Sequence, residues 1–258
     1  MDLGLADQVA FVTGASGGIG AAIARALAAE GARVALGYHS GEEAVGRVLA
    51  DIERSGEAGL IVGHDLNDPA SIDAAVDTII RSWGGLDVLA ASAWVQPAWP
   101  APRGGGVEPS PPEVWQEQLR TNTEGTARCI QAVLPAMEAR GGGRIVLIST
   151  GAAEDGAPGL EAYAAAKAAL HGLNRSLARG FGRAGILTNV VMPGFIATAR
   201  HRQVVPAAVI EHLASLAPTG RLATEDEVAR VVVFLAAPAN RSVTGATIRV
   251  GSGLYGGL

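Results

Sequence analysis

The chain has 258 residues, 48% of them hydrophobic and 17% charged, so it can bury one large core, and we expect a single domain over residues 1–258. Its net charge of −5, without a cluster of Lys or Arg, argues against nucleic acid as a partner. The single cysteine excludes an internal disulfide and argues against a cysteine-based zinc site. No run of about 18 apolar residues is present, which argues against a membrane span. An acidic start without an export signal favours a cytoplasmic location.

The first half of the chain alternates short β-branched runs with longer amphipathic segments, which are typical of strands and helices respectively. In chain order the predicted elements are a strand at residues 9–13, a helix at 19–30, a strand at 33–36, a helix at 42–55, a strand at 59–63, a helix from 69 to about 83, and a strand at 86–90. A loop rich in Pro and Gly follows, from Trp94 to Pro112.

The second half repeats this alternation. Its predicted elements are a helix at residues 113–139, a strand at 143–148, a helix that carries Tyr163 and ends near Gly180, a strand at 188–191, a helix at 225–236 and a strand at 247–250. The pattern predicts an α/β fold, a doubly wound parallel sheet of the Rossmann type flanked by helices. Ligands of such sheets bind at the carboxyl ends of the strands.

A glycine-rich turn joins the first predicted strand to the first helix and reads T-G-A-S-G-G-I-G. Free amides and the helix dipole favour a pyrophosphate at such a junction. Gly14 allows the tight turn, Gly18 lets a cofactor approach the backbone, and Gly20 lets helix and strand pack closely. The spacing T-G-x-x-x-G-x-G resembles that of the short-chain dehydrogenase/reductase family. The predicted cofactor contacts in the turn are Thr13, Gly14, Ser16, Gly18, Ile19 and Gly20.

The end of the second strand bears on the choice between NAD and NADP, because an acid there binds the ribose 2′-hydroxyl and repels a 2′-phosphate. The residues here are Tyr38, His39 and Ser40, none of them acidic. This favours NADP(H) as the cofactor, although His39 and Ser40 could equally be ordinary loop residues. The resemblance implies that Asp65, followed by Leu66, meets the adenine amino group.

Tyr163 and Lys167 are four residues apart, on one face of a helix. Lys167 is the only lysine in the chain, beside 19 arginines, which indicates a position where arginine does not serve. A phenol titrates near about 10, and we expect the neighbouring cation to lower that pKa. The pair is therefore predicted to transfer a proton to or from a carbonyl, and the resemblance implies that both residues also contact the cofactor.

The resemblance implies two further catalytic residues. The family places a hydroxyl thirteen residues before the tyrosine to bind the substrate oxygen, and that position holds Thr150, where serine is usual. The adjacent Ser149 is the alternative. Asn122, within T-N-T-E-G, matches the helix asparagine that holds a water in a proton relay to the lysine. Its other interpretation is a solvated or backbone-bonded residue.

Later segments extend the resemblance over nearly the whole chain. The stretch M-P-G-F-I-A-T matches the segment P-G-x-x-x-T, whose backbone and threonine meet the nicotinamide carboxamide in the family. The stretch R-L-A-T-E-D-E-V-A fits the family's late helix. The contacts implied by the first of these stretches are Pro193, Gly194, Ile196 and Thr198.

Two family signatures are missing. The sequence A-S-A-W replaces N-N-A-G after the fourth strand, so Ser92 can supply only part of the hydrogen bonding of that motif. Near the end of the chain V-G-S-G replaces V-D-G-G. We expect these departures to affect cofactor affinity rather than the fold.

Trp94 stands where the family has a glycine and begins a long loop that also holds Trp99. These two residues and Phe195 are predicted to line the substrate site, because indoles suit a flat, apolar, ring-bearing substrate. The tryptophans could equally cover the sheet edge or a subunit contact. The loop and the preference for arginine over lysine together resemble ketoreductases that tailor bacterial aromatic polyketides, including the angucycline type.

The sequence thus predicts an NADPH-dependent reductase of a small-molecule ketone, with no metal. One alternative is an alcohol dehydrogenase that works oxidatively, since the same residues serve both directions. Another, from a different class, is a cofactor-binding regulator without turnover. The resemblance also implies a homo-oligomer, a tetramer or a dimer, built from the helices predicted within residues 113–139 and 152–180 together with the last strand.

Overall fold

The computed structural model describes residues 2–95 and 111–254. The strands in these two segments are β1 (Val9–Thr13), β2 (Arg33–Tyr38), β3 (Gly59–Gly63), β4 (Val88–Ala91), β5 (Gly143–Ile148), β6 (Ile186–Pro193) and β7 (Thr247–Val250). They form one sheet in the order β3-β2-β1-β4-β5-β6-β7, and every neighbouring pair is parallel. The order of strands reverses between β1 and β4, and the carboxyl ends of these strands open the crevice where such sheets bind ligands.

Helices connect the strands and cover the sheet. They are α1 (Gly18–Ala29), α2 (Glu42–Arg54), α3 (Pro69–Trp83), α4 (Pro112–Leu119), α5 (Thr126–Ala139), α6 (Ala152–Asp155), α7 (Glu161–Phe181), α8 (Ala199–Val204), α9 (Ala207–Leu216) and α10 (Glu225–Ala236). Local capping explains several starts. Asp68 accepts a hydrogen bond from the amide of Ala70 at the start of α3, and Thr224 and Glu227 form a reciprocal capping box on α10.

Two apolar cores lie on opposite faces of the sheet. Helices α1, α2 and α10 cover one face, where Ile23 and Val232 are fully buried. Helices α3, α5 and α7 cover the other face, where Ile79 is fully buried. Consecutive residues of β1 serve both cores, since Val12 faces the first and Phe11 the second. Burial on both faces explains why the strands are almost uniformly apolar.

The predicted α/β fold is confirmed, with its doubly wound parallel sheet and flanking helices. Four strands, β1, β3, β5 and β7, have the predicted bounds. Pairing with neighbours lengthens two others. Tyr38 pairs with Gly63 and so extends β2 beyond residue 36, and Pro193 pairs with Val250 and so extends β6 beyond residue 191.

The single helix predicted over residues 113–139 is wrong in its middle. A π-helical turn, Arg120–Gly125, separates α4 from α5. Helices α6, α8 and α9 lie where the sequence pattern predicts no separate helix, because α6 and α8 are too short to show helical periodicity and α9 is apolar on most sides.

Two kinds of feature are absent from the part of the chain that the structure describes. None of its helices is both long and apolar enough to cross a membrane. Its His, Cys, Asp and Glu side chains form no group of three or more that could hold a metal ion. Cys129 is buried within α5, and burial raises the pKa of its thiol to about 12.

Candidate active site

The glycine-rich turn between β1 and α1 brings backbone segments into direct contact. Gly14 has φ +68°, and a Cβ on this residue would lie 2.8 Å from Cα of Ala93. A Cβ on Gly20 would lie 2.2 Å from the carbonyl oxygen of Gly14. Both positions therefore require glycine, because any side chain would push the β4 loop or α1 away from β1.

The amino end of α1 is open to an anion. Gly17 provides no side-chain cap, and the first turn of α1 holds no acidic residue. The first amides of α1 therefore lack a side-chain acceptor, and the helix dipole favours a negative group. A Cβ on Gly18, whose φ is +52°, would lie 3.6 Å from Cγ2 of Thr198. The turn fits a dinucleotide pyrophosphate, with Ile19 half-buried beside it and Thr198 opposite.

Thr13 and Ser92 hold the end of β4 in place. The Thr13 hydroxyl is buried and accepts hydrogen bonds from the amides of Ser92 and Ala93, at 3.0 and 2.9 Å. Thr13 thereby positions the loop that follows β4, where the family's N-N-A-G motif would stand. Ser92 is buried at the same point.

The carboxyl ends of β2 and β3 lie side by side at one edge of the crevice. Nε2 of His39 lies 3.5 Å from Oδ2 of Asp65, whose Oδ1 accepts a hydrogen bond from the amide of Asn67. A Cβ on Gly41 would lie 3.6 Å from Oγ of Ser16, so this edge adjoins the glycine-rich turn. The structure thus brings together the residues predicted for the adenosine end, namely Ser16, Tyr38, His39, Ser40, Asp65 and the buried Leu66.

The predicted catalytic groups converge beside the end of β5. Tyr163 and Lys167 lie one turn apart on α7, and Tyr163 is hydrogen-bonded to the hydroxyl of Thr150. Lys167 is 3% exposed, and its Nζ donates to the carbonyl oxygen of Ile148 at 3.0 Å. The geometry therefore joins a phenol, a hydroxyl and a buried ammonium at the mouth of the crevice.

The titration of the Tyr163 phenol differs from expectation. Burial raises the pKa of Tyr163 to about 12, and the hydrogen bond with Thr150 opposes this rise. Burial also lowers the pKa of Lys167 to about 8, because the ammonium loses hydration. The expectation that Lys167 lowers the phenol pKa is wrong for the chain by itself, since removal of the phenol from water dominates and the group that opposes the rise is Thr150.

Ser149, the alternative to Thr150, is directed into the protein. It is 5% exposed, and its Oγ lies 2.8 Å from Nε2 of His171 and 3.3 Å from the carbonyl oxygen of Lys167. Nδ1 of the same histidine lies 3.9 Å from Glu154. The Ser149 hydroxyl therefore ties β5 to α7, and the geometry favours Thr150 as the group that faces a substrate oxygen.

Asn122 is fully buried within the π-helical turn. Its Nδ2 donates to Oε1 of Gln118 at 2.7 Å and to the carbonyl oxygen of Val95 at 3.2 Å, and its Oδ1 accepts from the Val95 amide at 3.0 Å. Both amide hydrogens are thus in use. The main-chain carbonyl of Asn122 accepts a hydrogen bond from the hydroxyl of Thr126 at 3.0 Å.

Trp94 packs directly on the predicted proton donor. Its ring centroid lies 5.4 Å from that of Tyr163, with the planes tilted by 45°, and the indole is 42% exposed. Phe195 lies farther along the crevice wall, where its ring is 5.2 Å from the ring of His201. Trp99 lies outside the described residues. Trp94 therefore forms an apolar wall beside the site of proton transfer.

The segment after β6 is held by close backbone contacts. A Cβ on Gly194 would lie 2.9 Å from Cα of Gly251, so Gly194 must be glycine, and a Cβ on Gly251 would lie 3.2 Å from Cα of Gly194. Pro193 and the buried Ile196 flank this contact. The Thr198 hydroxyl accepts from the amide of residue 201 and so caps α8.

Three polar residues near the site are not predicted from the sequence motifs. They are Gln118, His171 and His201, which contact Asn122, Ser149 and Thr198 respectively. Spacing is the signal that could find them, because each lies three or four residues from a motif residue on the same helix turn. The burial of Gln118 and His171, which distinguishes them from solvated residues, is visible only in the folded chain.

Comparison with known proteins agrees with this geometry. Residues 14–255 match a family model of short-chain dehydrogenases described as enoyl-(acyl carrier protein) reductase. The chain belongs to the short-chain dehydrogenase/reductase family. A relative in this family, the 3-oxoacyl-[acyl-carrier-protein] reductase FabG of Escherichia coli K12, is 36% identical over 248 residues, which cover 96% of this chain and 97% of FabG.

Solved structures of the short-chain dehydrogenase/reductase family superpose over nearly the whole chain. A 7α-hydroxysteroid dehydrogenase complexed with NADH and 7-oxo glycochenodeoxycholic acid gives a TM-score of 0.89 at 29% identity, covering 98% of this chain and 96% of that one. A gluconate 5-dehydrogenase from Burkholderia cenocepacia J2315, in complex with NADP and tartrate, gives 0.87 at 31% identity, covering 98% and 97%. Membership of this family makes the chain an oxidoreductase.

Proposed function

We propose that this protein reduces a ketone to a secondary alcohol with NADPH, using Tyr163 as the proton donor. The observation that carries the proposal is the contact of Tyr163 with Thr150, one helical turn from Lys167 and at the mouth of the crevice that the glycine-rich turn closes. FabG, whose printed name describes reduction of a 3-oxoacyl group, supports the same reaction type.

The residues present divide the proton chemistry among them. A bound nicotinamide dinucleotide supplies the hydride, which adds to the carbonyl carbon. Thr150 holds the carbonyl oxygen, and Tyr163 gives that oxygen its proton and becomes a phenolate. Lys167 stabilises the phenolate, and the carbonyl of Asn122 can hold a water through which the proton is replaced.

The titration of Tyr163 supports reduction as the direction. A phenol with a pKa of about 12 keeps its proton at neutral pH, so it is ready to donate. Oxidation of an alcohol requires the phenolate, which the buried surroundings disfavour. In the alternative, an alcohol dehydrogenase that works oxidatively, the oxidised nicotinamide would supply a positive charge that favours the phenolate.

The end of β2 supports NADP(H) over NAD(H). Tyr38, His39 and Ser40 carry no acid that would repel a 2′-phosphate, and the Ser16 hydroxyl lies close to the same point. Asp65, at the end of β3, lies beside His39, with Oδ2 3.5 Å from Nε2 of the imidazole. We expect the dissociation constant for NADPH to be at least about tenfold lower than that for NADH, a difference of about 1.4 kcal/mol.

The wall formed by Trp94 and Phe195 supports an apolar, ring-bearing substrate. A planar ring can stack on the exposed part of the Trp94 indole while its ketone reaches Tyr163, since the two rings are 5.4 Å apart. Intermediates of aromatic polyketide pathways are one group of such ketones. The steroid ligand of the 7α-hydroxysteroid dehydrogenase relative is also a ring-bearing ketone.

The assembly and location of the protein are part of the same proposal. We expect residues 1–258 to fold as one domain, to form a homo-oligomer and to act in the cytoplasm. Family membership supports the oligomer.

Oxidation of NADPH, followed by absorbance with polycyclic and simple ketones, tests the function. Substitution of Tyr163 by Phe should lower turnover by about a hundredfold or more, because the proton donor is lost, while NADPH affinity measured by nicotinamide fluorescence stays within about twofold. Cofactor binding without turnover on any ketone would favour a non-catalytic regulator. Full activity in the Phe variant would exclude Tyr163 as the donor.

A further inference from the structure

Gln118 is a fully buried amide on α4 that the catalytic motifs do not include. Its Oε1 accepts a hydrogen bond from Nδ2 of Asn122 at 2.7 Å, across one turn of the helix. Its Nε2 has no hydrogen-bond partner among the described residues. A buried amide with an unpaired donor costs about 1–3 kcal/mol relative to an apolar side chain, so its oxygen is expected to serve a purpose that stability does not explain.

The hydrogen bond to Gln118 orients the Asn122 side chain. Oδ1 of Asn122 accepts a hydrogen bond from the Val95 amide at 3.0 Å, and Nδ2 of Asn122 donates one to the Val95 carbonyl oxygen at 3.2 Å. The side-chain amide thus pairs with both polar groups of the Val95 backbone. Without an acceptor for its second hydrogen, the Asn122 amide would be held by the two contacts with Val95 alone and would keep one unpaired buried donor. Gln118 supplies that acceptor and keeps the Asn122 plane aligned with the backbone of Val95.

The backbone of Val95 connects the Asn122 side chain to Trp94, which contacts Tyr163. Val95 directly follows Trp94, whose ring packs on the ring of Tyr163 at 5.4 Å. The other side of this loop is held by Thr13, which bonds the amides of Ser92 and Ala93. Trp94 is therefore held between two hydrogen-bonded anchors, of which only the Val95 anchor depends on Gln118.

We propose that Gln118 is a positioning residue, which through Asn122 and the backbone of Val95 holds the Trp94 indole against Tyr163. This inference rests on the proposed function of Tyr163 as the proton donor. The consequence is that the Tyr163 phenol stays shielded from water and the Trp94 indole keeps its position beside it. The unpaired Nε2 of Gln118 is the remaining cost of this arrangement.

Substitution of Gln118 by Met tests the inference, because Met keeps the length of the side chain and removes the acceptor. Gln116→Met is the matched control, since Gln116 is exposed on the same helix. The emission of Trp94 is obtained as the difference between the intact protein and the Trp94→Phe variant. Gln118→Met should shift this emission to longer wavelength and lower turnover by about tenfold, whereas Gln116→Met should change neither.

A double-substitution cycle separates positioning from a general structural effect. If Gln118 acts through Trp94, Gln118→Met should have little further effect on turnover in a chain that already carries Trp94→Phe. Gln118→Glu, which keeps an acceptor oxygen, should retain the emission of Trp94. An equal loss of turnover in both backgrounds, or unchanged emission in Gln118→Met, would overturn the inference. The Trp94 emission reports on the position of the indole even if no ketone is turned over. Failure of the proposed function can therefore be distinguished from failure of the positioning role of Gln118.

Discussion

Burial controls the acid–base behaviour of Tyr163, Lys167 and His64 more strongly than neighbouring charges do. The pKa of Tyr163 rises to about 12, that of Lys167 falls to about 8, and that of His64 falls to about 4. In each case loss of hydration disfavours the charged form. At neutral pH the site therefore offers a protonated phenol beside a lysine whose proton is unusually mobile, which suits the replacement of a donated proton.

His64 is a further example of a side chain whose pKa is shifted mainly by burial. It is 3% exposed at the end of β3, its ring packs edge-on against Phe11 at 5.3 Å, and neither ring nitrogen has a hydrogen-bond partner among the described residues. Asp65 favours its protonation and His39 opposes it, and burial outweighs both. Between pH 6.5 and about 4 the unfolded chain binds a proton that the folded chain does not, so stability falls as pH falls through this window.

His64→Leu should therefore reduce the loss of stability on acidification. We expect the difference in urea midpoint between pH 7 and pH 4.5 to be smaller in this variant than in the intact chain, because the buried imidazole no longer has to stay unprotonated. The exposed His212, substituted by Leu, serves as the control and should leave the difference unchanged. Equal pH dependence in all three proteins would contradict the assignment.

At the scale of elements, the π-helical turn between α4 and α5 organises the site. Three consecutive side chains leave it in different directions. Thr121 bonds Asn67 after β3, Asn122 bonds Val95 after β4, and Thr123 bonds a carbonyl of α7. One widened turn thus connects three segments that border the crevice, and such turns are frequent at functional sites.

Gly125 closes this turn and should not tolerate a side chain. A Cβ on Gly125 would overlap the carbonyl oxygen of Leu66. Because this oxygen belongs to the backbone, relieving the overlap would require the main chain at Leu66 to move. Gly125→Ala should lower the free energy of unfolding by about 2 kcal/mol and weaken NADPH binding, because Leu66 and Asp65 would shift. Gly46→Ala is the control. It places a Cβ in open space on α2 and should raise stability by about 0.5–1 kcal/mol. Denaturant titration checks both values, and an undiminished stability of Gly125→Ala would contradict the packing described.

At the scale of the whole molecule, several surfaces remain open in the single chain. All four residues of the edge strand β7 are half-buried, in contrast to the fully buried β1 and β4. Large apolar side chains are exposed on four helices, namely Leu119, Val204, Val209, Leu216 and Phe234. Association through these surfaces would cover the sheet edge and remove apolar area from water.

We therefore expect a homo-oligomer in solution, a tetramer or a dimer. Light scattering coupled to size-exclusion chromatography should give a mass two or four times the 26.1 kDa of one chain. The mass should persist on dilution to micromolar concentration, since the exposed area is apolar rather than charged. A stable mass of one chain at this concentration would contradict the expectation.

Much of this protein is determined by local sequence alone. The strands, most of the helices and the glycine-rich turn follow from hydrophobic periodicity and turn chemistry, and the four-residue spacing of Tyr163 and Lys167 places them one turn apart on α7. These predictions succeed because strand alternation, helical periodicity and the need for glycine at close backbone contacts are properties of short segments.

Only the tertiary structure decides the rest. The break in the helix over residues 113–139 depends on bonds from Thr121, Asn122 and Thr123 to distant segments, and Gln118 gains its role only because it is buried beside Asn122. The sequence motif also implies a lowered pKa for Tyr163, whereas burial raises it. The physical reason is common to these cases, since loss of water around a side chain and contacts between residues far apart in sequence arise only when the chain is folded.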